Sequence, residues 1–534
     1  PPLDGSLSLP ELVDLRLQQN PQSIYAVLPA NDPKDRPIHI TMFEWCRGIH
    51  RLARALRPQP SYEAREVVAL ILNCDTILYT TAVVAVMRAG LIPYPMSNRN
   101  SPAAIFHMLR TTSCHHLIVT SNTLAGLVTG IMAEASSQDY RIQIDELPCL
   151  YDIFPHFGYE TAGDDFVSYP ALNKCGPDEI ITYIHSSGST GFPKSIPHTN
   201  KSLMGWYASP FGADIPRYPK HLTFCTFAAP TFHMMGMGFQ IWAPLIVGST
   251  ATMFPPKAPA FPVVPTPDNI LEGMRITGVN AVISVPTFVE AWSESDEAVK
   301  FLSTMEVVIS GGGPLAVDIG DRLVAKGVHL RSGYAGTEFG APSYFIPPQG
   351  LIDPKDWNYV HFDPRVSIRM APRDEGKYEL QILNSESHPV LIHNISDVCG
   401  YATSDLFEKH PVKEGLWKII GRVDDVITLA SGEKTVPAPM ESKILSSPLV
   451  VGAIMFGRGR NQVGVLIEPR QEHLMNTDDP ASLADFRNQI WSIVEEANKD
   501  APGFSRIFKE MILVTSPEKP LRRTPKGTVM RKPT

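Results

Sequence analysis

The stretch HSSGSTGFPKSIPHTN, His185 to Asn200, decides how the rest of the chain is read. Four hydroxyl residues, Ser186, Ser187, Ser189 and Thr190, are interleaved with Gly188 and Gly191 and followed by Lys194. Glycines let consecutive backbone N–H groups converge on an anion, hydroxyls add rotatable donors and a lysine adds full positive charge, an inventory that suits a polyphosphate. The common nucleoside-triphosphatase loop, G-x-x-x-x-G-K-[ST], does not fit, because from Gly188 the chain reads GSTGFPKS, with Pro193 where the second glycine belongs. That loop opens a helix at its lysine, whereas Pro193 drives Phe192 out of the helical region and Pro197 blocks a helix begun at Lys194. An idle Ser/Gly turn accounts for the glycines and serines but not for the lysine set among them.

Outward from this loop, ITYIHSS (181–187) reads as a strand leading in, and apolar strand candidates recur at VVALILN (67–73), HLIVT (116–120), LTFCTFAA (222–229), NAVISV (280–285) and EVVIS (306–310). Helical patterns lie between several of them, among them Thr76 to Ala89, closed by Gly90 and Pro93. Strands alternating with helices imply parallel sheets in an α/β architecture. The proline-dense PPKAPAFPVVPTP (255–267) carries P-x-x-P spacings but reads better as a rigid surface connection between two α/β units. The last ~110 residues are the size of a separate small domain. The join is placed in GRVDDVITLASGEKTVPAPMES (421–442), with a strand pair at 450–457 and 462–469, a helix at 485–498 and a closing strand at 508–515 beyond it.

A chain of 534 residues implies two or more domains, and 43% hydrophobic with 19% charged residues is an ordinary globular composition. A net charge of −8 argues against a nucleic-acid partner, the basic cluster Arg522, Arg523, Lys526, Arg531 and Lys532 being a local exception suited to a small phosphorylated ligand. The seven cysteines are scattered and never form C-x-x-C, as expected of reduced thiols in a cytoplasmic protein, and Cys114, His115 and His116 lack further metal-ligand spacing. No apolar run reaches the ~18 residues of a membrane helix. The start at Pro1 in place of Met leads to the expectation of a segment of a longer protein.

SSGSTGFPK resembles, at every fixed position, the [ST]-[ST]-G-[ST]-T-G-x-P-K signature of the adenylate-forming superfamily: acyl-CoA synthetases, luciferases and the adenylation domains of non-ribosomal peptide synthetases. Companion motifs follow in that superfamily's order: FHMMGMG (232–238), ISGGGPL (309–315), GYAGTE (333–338), YATSDL (401–406), GRVDD (421–425) and RTPKGTVMR (523–531). Singly, each has a plainer explanation: Glu338 a solvated acid, Asp405 a helix cap, Tyr334 and His233 core residues, Arg422 and Asp424 a surface ion pair. Seven in register make the resemblance specific.

The resemblance implies an α/β fold with a large N-terminal domain of stacked sheets (1–422) and a small mobile α+β C-terminal domain (425–534) joined by a hinge at Asp424. It implies activation of a carboxylic acid by MgATP to an acyl adenylate, with Ser186, Ser187, Gly188, Ser189, Thr190, Gly191 and Lys194 on the phosphates and Thr337 at the α-phosphate. Glu338 would hold Mg²⁺, Gly311, Gly312, Gly313 and Tyr334 would meet adenine, and Asp405 and Arg422 the ribose. The catalytic cation is expected at Lys526, two residues early when aligned on Gly527, with Lys532 a possible substitute; Ala335 and Thr428 are smaller departures from the pattern.

His233 stands where amino-acid-activating domains carry the Asp that pairs with an α-ammonium, which favours an aryl or other non-amino acid in a pocket near His233, Met234, Val285, Ser310, Gly311 and Ala335. The stretch 87–112 and the K-G-T ending are most similar to the adenylation domains of fungal adenylate-forming reductases. In those a carrier domain follows, whose phosphopantetheine thiol (or, in a stand-alone synthetase, CoA) accepts the acyl group, and then a reductase using NADPH, of which this chain carries no G-x-x-G-x-x-G fingerprint. A silent module that binds MgATP or acyl-AMP is the competing reading.

Overall fold

The computed structural model describes residues 6–30, 35–60, 65–171, 175–186, 192–208, 215, 218–348, 350–374, 376–431, 433–499, 501–523 and 529–531. The apolar runs become two mainly parallel sheets. One has four parallel strands in the order Ile92–Pro95, Val67–Ile71, His116–Val119, Gln143–Glu146. The other has seven, in the order Leu330–Gly333, Val307–Gly311, Ala281–Ser284, Thr223–Cys225, Thr250–Thr252, Ile24–Leu28, Ile38–Thr41, with only the last pair antiparallel.

The helix Thr76–Arg88 is buried on every side, as its unbroken apolar sequence requires, and shares one core with residues of both sheets, including Leu70, Ile118, Phe224 and Ala281. The outer face of the four-stranded sheet is covered by the helices Pro102–Thr111 and Ser121–Ser137 through Ile105, Met108 and Ile131. The outer face of the seven-stranded sheet packs on Ile270, Val289, Val299 and Leu323. Layers of helix, sheet, helix, sheet and helix result, each sheet buried on both faces as parallel sheets are.

Two sequence expectations are corrected. LTFCTFAA pairs only over Thr223–Cys225, because beyond it side chains take the backbone groups: Thr226 N–H donates to Thr252 Oγ1 (3.2 Å), and Gln240 Nε2 donates to the carbonyls of Thr226 (3.1 Å) and Ala229 (2.8 Å). The proline-rich 255–267 does not join two units. It runs from Thr250–Thr252 to the helix Pro267–Thr277 and on to Ala281–Ser284, all within one sheet.

A five-stranded antiparallel sheet, unforeseen from sequence, follows in the order Val360–His361, Leu416–Arg422, Gly400–Lys409, Lys377–Leu383, Ile368–Asp374, around Tyr334, Phe362, Leu380 and Phe407. The smaller C-terminal domain has the expected strand pair, Val450–Phe456 with Gly464–Pro469 antiparallel, plus Ile512–Val514 in parallel. The helix Pro480–Lys499 covers it with Phe486, Ile490, Val494 and Ala497, an apolar stripe at helical spacing.

Candidate functional site

Three parallel strands, Ala281–Ser284, Val307–Gly311 and Leu330–Gly333, end side by side, and ligand crevices form outside such carboxyl ends. Gly311 lies opposite Gly333, and a Cβ on Gly311 would stand 3.3 Å from the Gly333 carbonyl oxygen. Gly312 turns the chain at φ +83°, a left-handed conformation that glycine adopts without strain. Its open side faces Val285 Cγ1 (3.8 Å) and Met235 Cε (3.9 Å), so the glycine turn, Val285 and Met235 share one wall. Ser310, in register with Ser284 and Ser332, alternates with Gly311 along the strand, and its buried hydroxyl has no hydrogen-bond partner among the described residues.

His233 caps the short helix Met234–Gly236, its Nδ1 accepting from the Met235 N–H at 3.2 Å. A π-helical turn, Met237–Trp242, follows directly, a rare geometry that recurs at functional sites. Phe232 lies parallel to the ring of His185, centroids 6.1 Å apart, and His185 Nε2 accepts from the Ser97 N–H (3.0 Å). The opening stretch and the aromatic-His motif therefore meet. Ser186 ends the strand Ile180–Ser186 and Lys194 begins Lys194–Thr199, its direct antiparallel partner, so the chain makes a hairpin here and not a helix. Tyr94 OH donates to Ser195 Oγ (2.8 Å) and Thr182 Oγ1 to the Pro93 carbonyl (2.9 Å), which docks the hairpin on the four-stranded sheet. Lys194 is exposed. Ser187, Gly188, Ser189, Thr190 and Gly191 lie outside the described residues, as do Lys526 and Lys532.

After Leu330–Gly333 the chain forms a loop closed by two backbone hydrogen bonds between Gly336 and Gly340, each 2.8 Å, with Thr337 buried and Glu338 half-buried within it. Ala335 is exposed at its start. Tyr334 is 9% exposed, packed against Phe339, Phe362 and Phe407, and its hydroxyl donates to Asp405 Oδ2 at 2.7 Å. Beyond the place beside adenine that the sequence suggests for it, Tyr334 holds Asp405 through this bond.

Asp405 sits on a bulge. Glu379 pairs with Leu406 and Gln381 with Ala402, so Thr403, Ser404 and Asp405 together oppose Leu380, with Ser404 at φ +61°. Thr403 Oγ1 accepts the Asp405 N–H (3.1 Å), and Glu379 Oε1 accepts the Ser404 N–H (3.1 Å). Arg422, across the sheet, approaches Asp405 at 3.5 Å and Asp424 at 3.6 Å. Burial pushes the Asp405 carboxyl up to about 6; Arg422 and the Tyr334 hydroxyl pull it down, and the nearby charges of Glu338 and Asp425 raise it. Asp405, Arg422, Tyr334 and Glu338 thus form one electrostatic neighbourhood.

This donor set fits a magnesium nucleotide. Asp405 and Arg422 offer an acceptor and a donor for sugar hydroxyls, and the glycine turn a close backbone. Thr337 and Glu338 offer the hard oxygens Mg²⁺ prefers. Among the described residues no three His, Cys, Asp or Glu side chains gather as a metal group. Sequence reasoning missed Met235, the bulge, the Tyr334–Asp405 bond and His388, whose Nε2 donates to the Phe339 carbonyl at 2.6 Å. Nothing in the sequence marks His388, 50 residues from Glu338.

Residues 16–364 match the family model of the AMP-binding enzymes, and residues 424–534 that of the AMP-binding enzyme C-terminal domain. An adenylate-forming reductase of Serpula lacrymans is 46% identical over all of this chain and 48% of its own length. A carboxylic acid reductase of Neurospora crassa is 28% identical over 99% of this chain and 50% of its own. The chain spans about half the length of these curated relatives. Among solved structures, the didomain of adenylation and carrier modules of a carboxylic acid reductase from Segniliparus rugosus, in complex with AMP, superposes with a TM-score of 0.71 at 15% identity, over 99% of this chain and 80% of that one. No described helix is long and apolar enough to cross a membrane.

Proposed function

We propose a function from one premise, that the chain belongs to the AMP-binding enzyme family: it activates a non-α-amino carboxylic acid with MgATP as an acyl adenylate. The observation that carries the reading is the Tyr334–Asp405–Arg422 cluster beside the Thr337–Glu338 loop. In the reaction a substrate carboxylate oxygen forms a bond to the α-phosphorus, and the bond from that phosphorus to the pyrophosphate oxygen breaks.

Asp405 and Arg422 hold the ribose, while Gly311 to Gly313 and the remaining edge of Tyr334 border the base. Ser186, Lys194 and the hydroxyls and glycines between them grip the β- and γ-phosphates. Thr337 donates to the α-phosphate and Glu338 ligates Mg²⁺, which supplies charge neutralisation on the leaving pyrophosphate. Lys526 serves as the cation for the charge that builds at the α-phosphorus, an effect worth roughly 3–4 kcal/mol per donor in comparable sites. His233, Met234, Met235, Val285 and Ala335 border the acid, and no carboxylate stands at position 233 to pair an ammonium, which supports an aryl or other non-amino substrate.

The acceptor is the phosphopantetheine thiol of a downstream carrier domain, and the thioester is reduced with NADPH in a cytoplasmic parent protein. The names and lengths of the relatives support that fate. The test is carboxylate-dependent exchange of labelled pyrophosphate into ATP over aryl, fatty and amino acids. Exchange with an aryl acid and none with α-amino acids is expected. No exchange with any acid overturns the reading in favour of a silent nucleotide-binding module, and γ-phosphate release without exchange makes the chain an ATPase.

A further inference from the structure

The loop that carries Glu338 is held from outside as well as from within. Among the described residues its internal backbone bonds are the pair between Gly336 and Gly340 and a longer one from the Phe339 N–H to the Gly336 carbonyl at 3.3 Å, all of them resting on the glycines at its ends. A strap from elsewhere adds to these. The Leu391 N–H donates to the Glu338 carbonyl at 3.1 Å, and His388 Nε2 donates to the Phe339 carbonyl at 2.6 Å. Trp206 closes the third side: a Cβ on Gly340 would overlap its ring, its Nε1–H donates to the Pro389 carbonyl at 2.8 Å, and its indole stacks on the His388 ring at an angle of 29°, centroids 6.1 Å apart. His388 itself is fully buried and turned tightly, its N–H donating to Ser385 Oγ at 3.1 Å.

The imidazole is neutral, since burial lowers its pKa to about 4. A neutral imidazole has one N–H, and a carbonyl accepts but never donates, so the proton is on Nε2. Nδ1 is left buried with no partner among the described residues, a cost that an apolar side chain of the same size would avoid. Packing alone therefore does not call for histidine here; the bond to Phe339 does.

We propose that His388 is a positioning residue for magnesium–nucleotide binding: its Nε2–H, backed by Trp206, fixes the loop Gly336–Gly340 so that the Glu338 carboxylate meets the ion. This rests on the reading of Glu338 as the Mg²⁺ ligand. Residues that orient a metal ligand commonly change metal affinity about 10- to 100-fold when removed.

The experiment is calorimetric titration of the chain with α,β-methylene-ATP, once with Mg²⁺ and once with EDTA, so that the gain in affinity due to magnesium is read apart from turnover. His388→Met keeps volume and loses the donor; it is expected to lower that gain about tenfold while leaving affinity in EDTA unchanged. His388→Gln, which returns an amide N–H at similar reach, is expected to recover most of it. An unchanged magnesium gain in His388→Met overturns the proposal, as does an equal loss with and without Mg²⁺, the signature of a merely structural role. Glu338→Gln separates the two levels: if it too leaves the gain intact, the ligand assignment fails, and if it alone abolishes the gain, only the role of His388 fails. Should His388→Met not fold, Trp206→Phe, which keeps a ring and loses the Pro389 bond, is expected to lower the gain in the same sense, and an unaltered gain overturns the proposal.

Discussion

Asp405, which we propose meets the ribose, works against the stability of its own fold. Its carboxyl is pushed from the ordinary 3.8 to about 6, so between those values the folded chain holds a proton that the unfolded chain has released. Stability therefore falls as pH rises through roughly 4 to 6, and the full cost stands above 6, at most about 3 kcal/mol for a shift of some two units. Asp405→Asn removes it, while Arg422 keeps Asp424 as a partner at 3.6 Å. The variant is expected to be about 1–3 kcal/mol more stable than the parent in denaturant titrations at pH 8, with the difference vanishing near pH 4, and to bind ATP poorly at both. Equal stability at pH 8 would remove the conflict. The parent's nucleotide affinity should rise from pH 5 to 7 as Asp405 ionises into an acceptor for a ribose hydroxyl. At this scale the sequence suggests a role where a residue type stands for its chemistry, as with the carboxylate of Glu338 or the charge of Lys194. It is silent where a role depends on a neighbour distant in the chain: Tyr334 reaches Asp405 across 71 residues, His388 is known only by its bond to Phe339, and the register of Ser310 with Ser284 and Ser332 depends on strand pairing.

Elements differ in how much they can be read in advance, and the difference is physical. Strands buried on both faces are short apolar runs, so VVALILN, HLIVT, NAVISV and EVVIS stand out and their strands were expected within a few residues of where they lie. Gly400–Lys409 has no such run, since it is polar, bulged at Thr403–Asp405 and faces the site, and the whole antiparallel sheet was missed with it. The π turn Met237–Trp242 follows no simple helical period. The hairpin at the phosphate loop was half legible: Pro193 and Pro197 excluded a helix, but only the pairing of Ser186 with Lys194 revealed the second strand. Two glycines separate backbone strain from crowding. Gly278 ends the helix Pro267–Thr277 at φ +66° with nothing near a would-be Cβ, so Gly278→Ala should cost only about 1 kcal/mol. Gly340 has a similar φ of +71°, but its Cβ would enter the Trp206 ring, adding about 1–3 kcal/mol of overpacking. Scanning calorimetry should show a clearly larger fall in melting temperature for Gly340→Ala than for Gly278→Ala, together with weakened Mg²⁺-dependent nucleotide binding in the former only. Equal shifts would mean that Trp206 yields freely and that the strap is soft.

For the molecule as a whole, the question is what governs the placement of the small domain. Its contact with the large one includes Lys443 to Asp318 at 2.8 Å, linking the helix Ala438–Leu445 to Val317–Ala325 just beyond the glycine turn. Both side chains are partly solvated, and such pairs contribute about 0–1 kcal/mol. A contact that weak does not lock two domains together, so Lys443→Ala should leave adenylation and acyl transfer both within about twofold of the parent. The joint itself offers firmer control. Asp424 lies in the single turn Val423–Asp425, its carbonyl accepts from Arg458 Nη2 at 3.2 Å, and Asp425 is paired with Arg531 at 3.2 Å, which also grips Glu441 at 2.6 Å. Asp425 is thus tied to Glu441 through Arg531, while Arg422 is tied to Asp405, so any rotation of the small domain at the proposed hinge would have to be absorbed by the backbone between them. Proline at 424 fixes φ near −65° and restricts the residue before it. Asp424→Pro removes one partner of Arg422 but leaves it Asp405 at 3.5 Å, so it is expected to leave nucleotide binding within about threefold of the parent and to slow one half-reaction at least tenfold more than the other. Pyrophosphate exchange reports the first half-reaction, and loading of a carrier thiol in a single turnover reports the second. Equal loss in both would mean that Asp424 is not where the domains pivot.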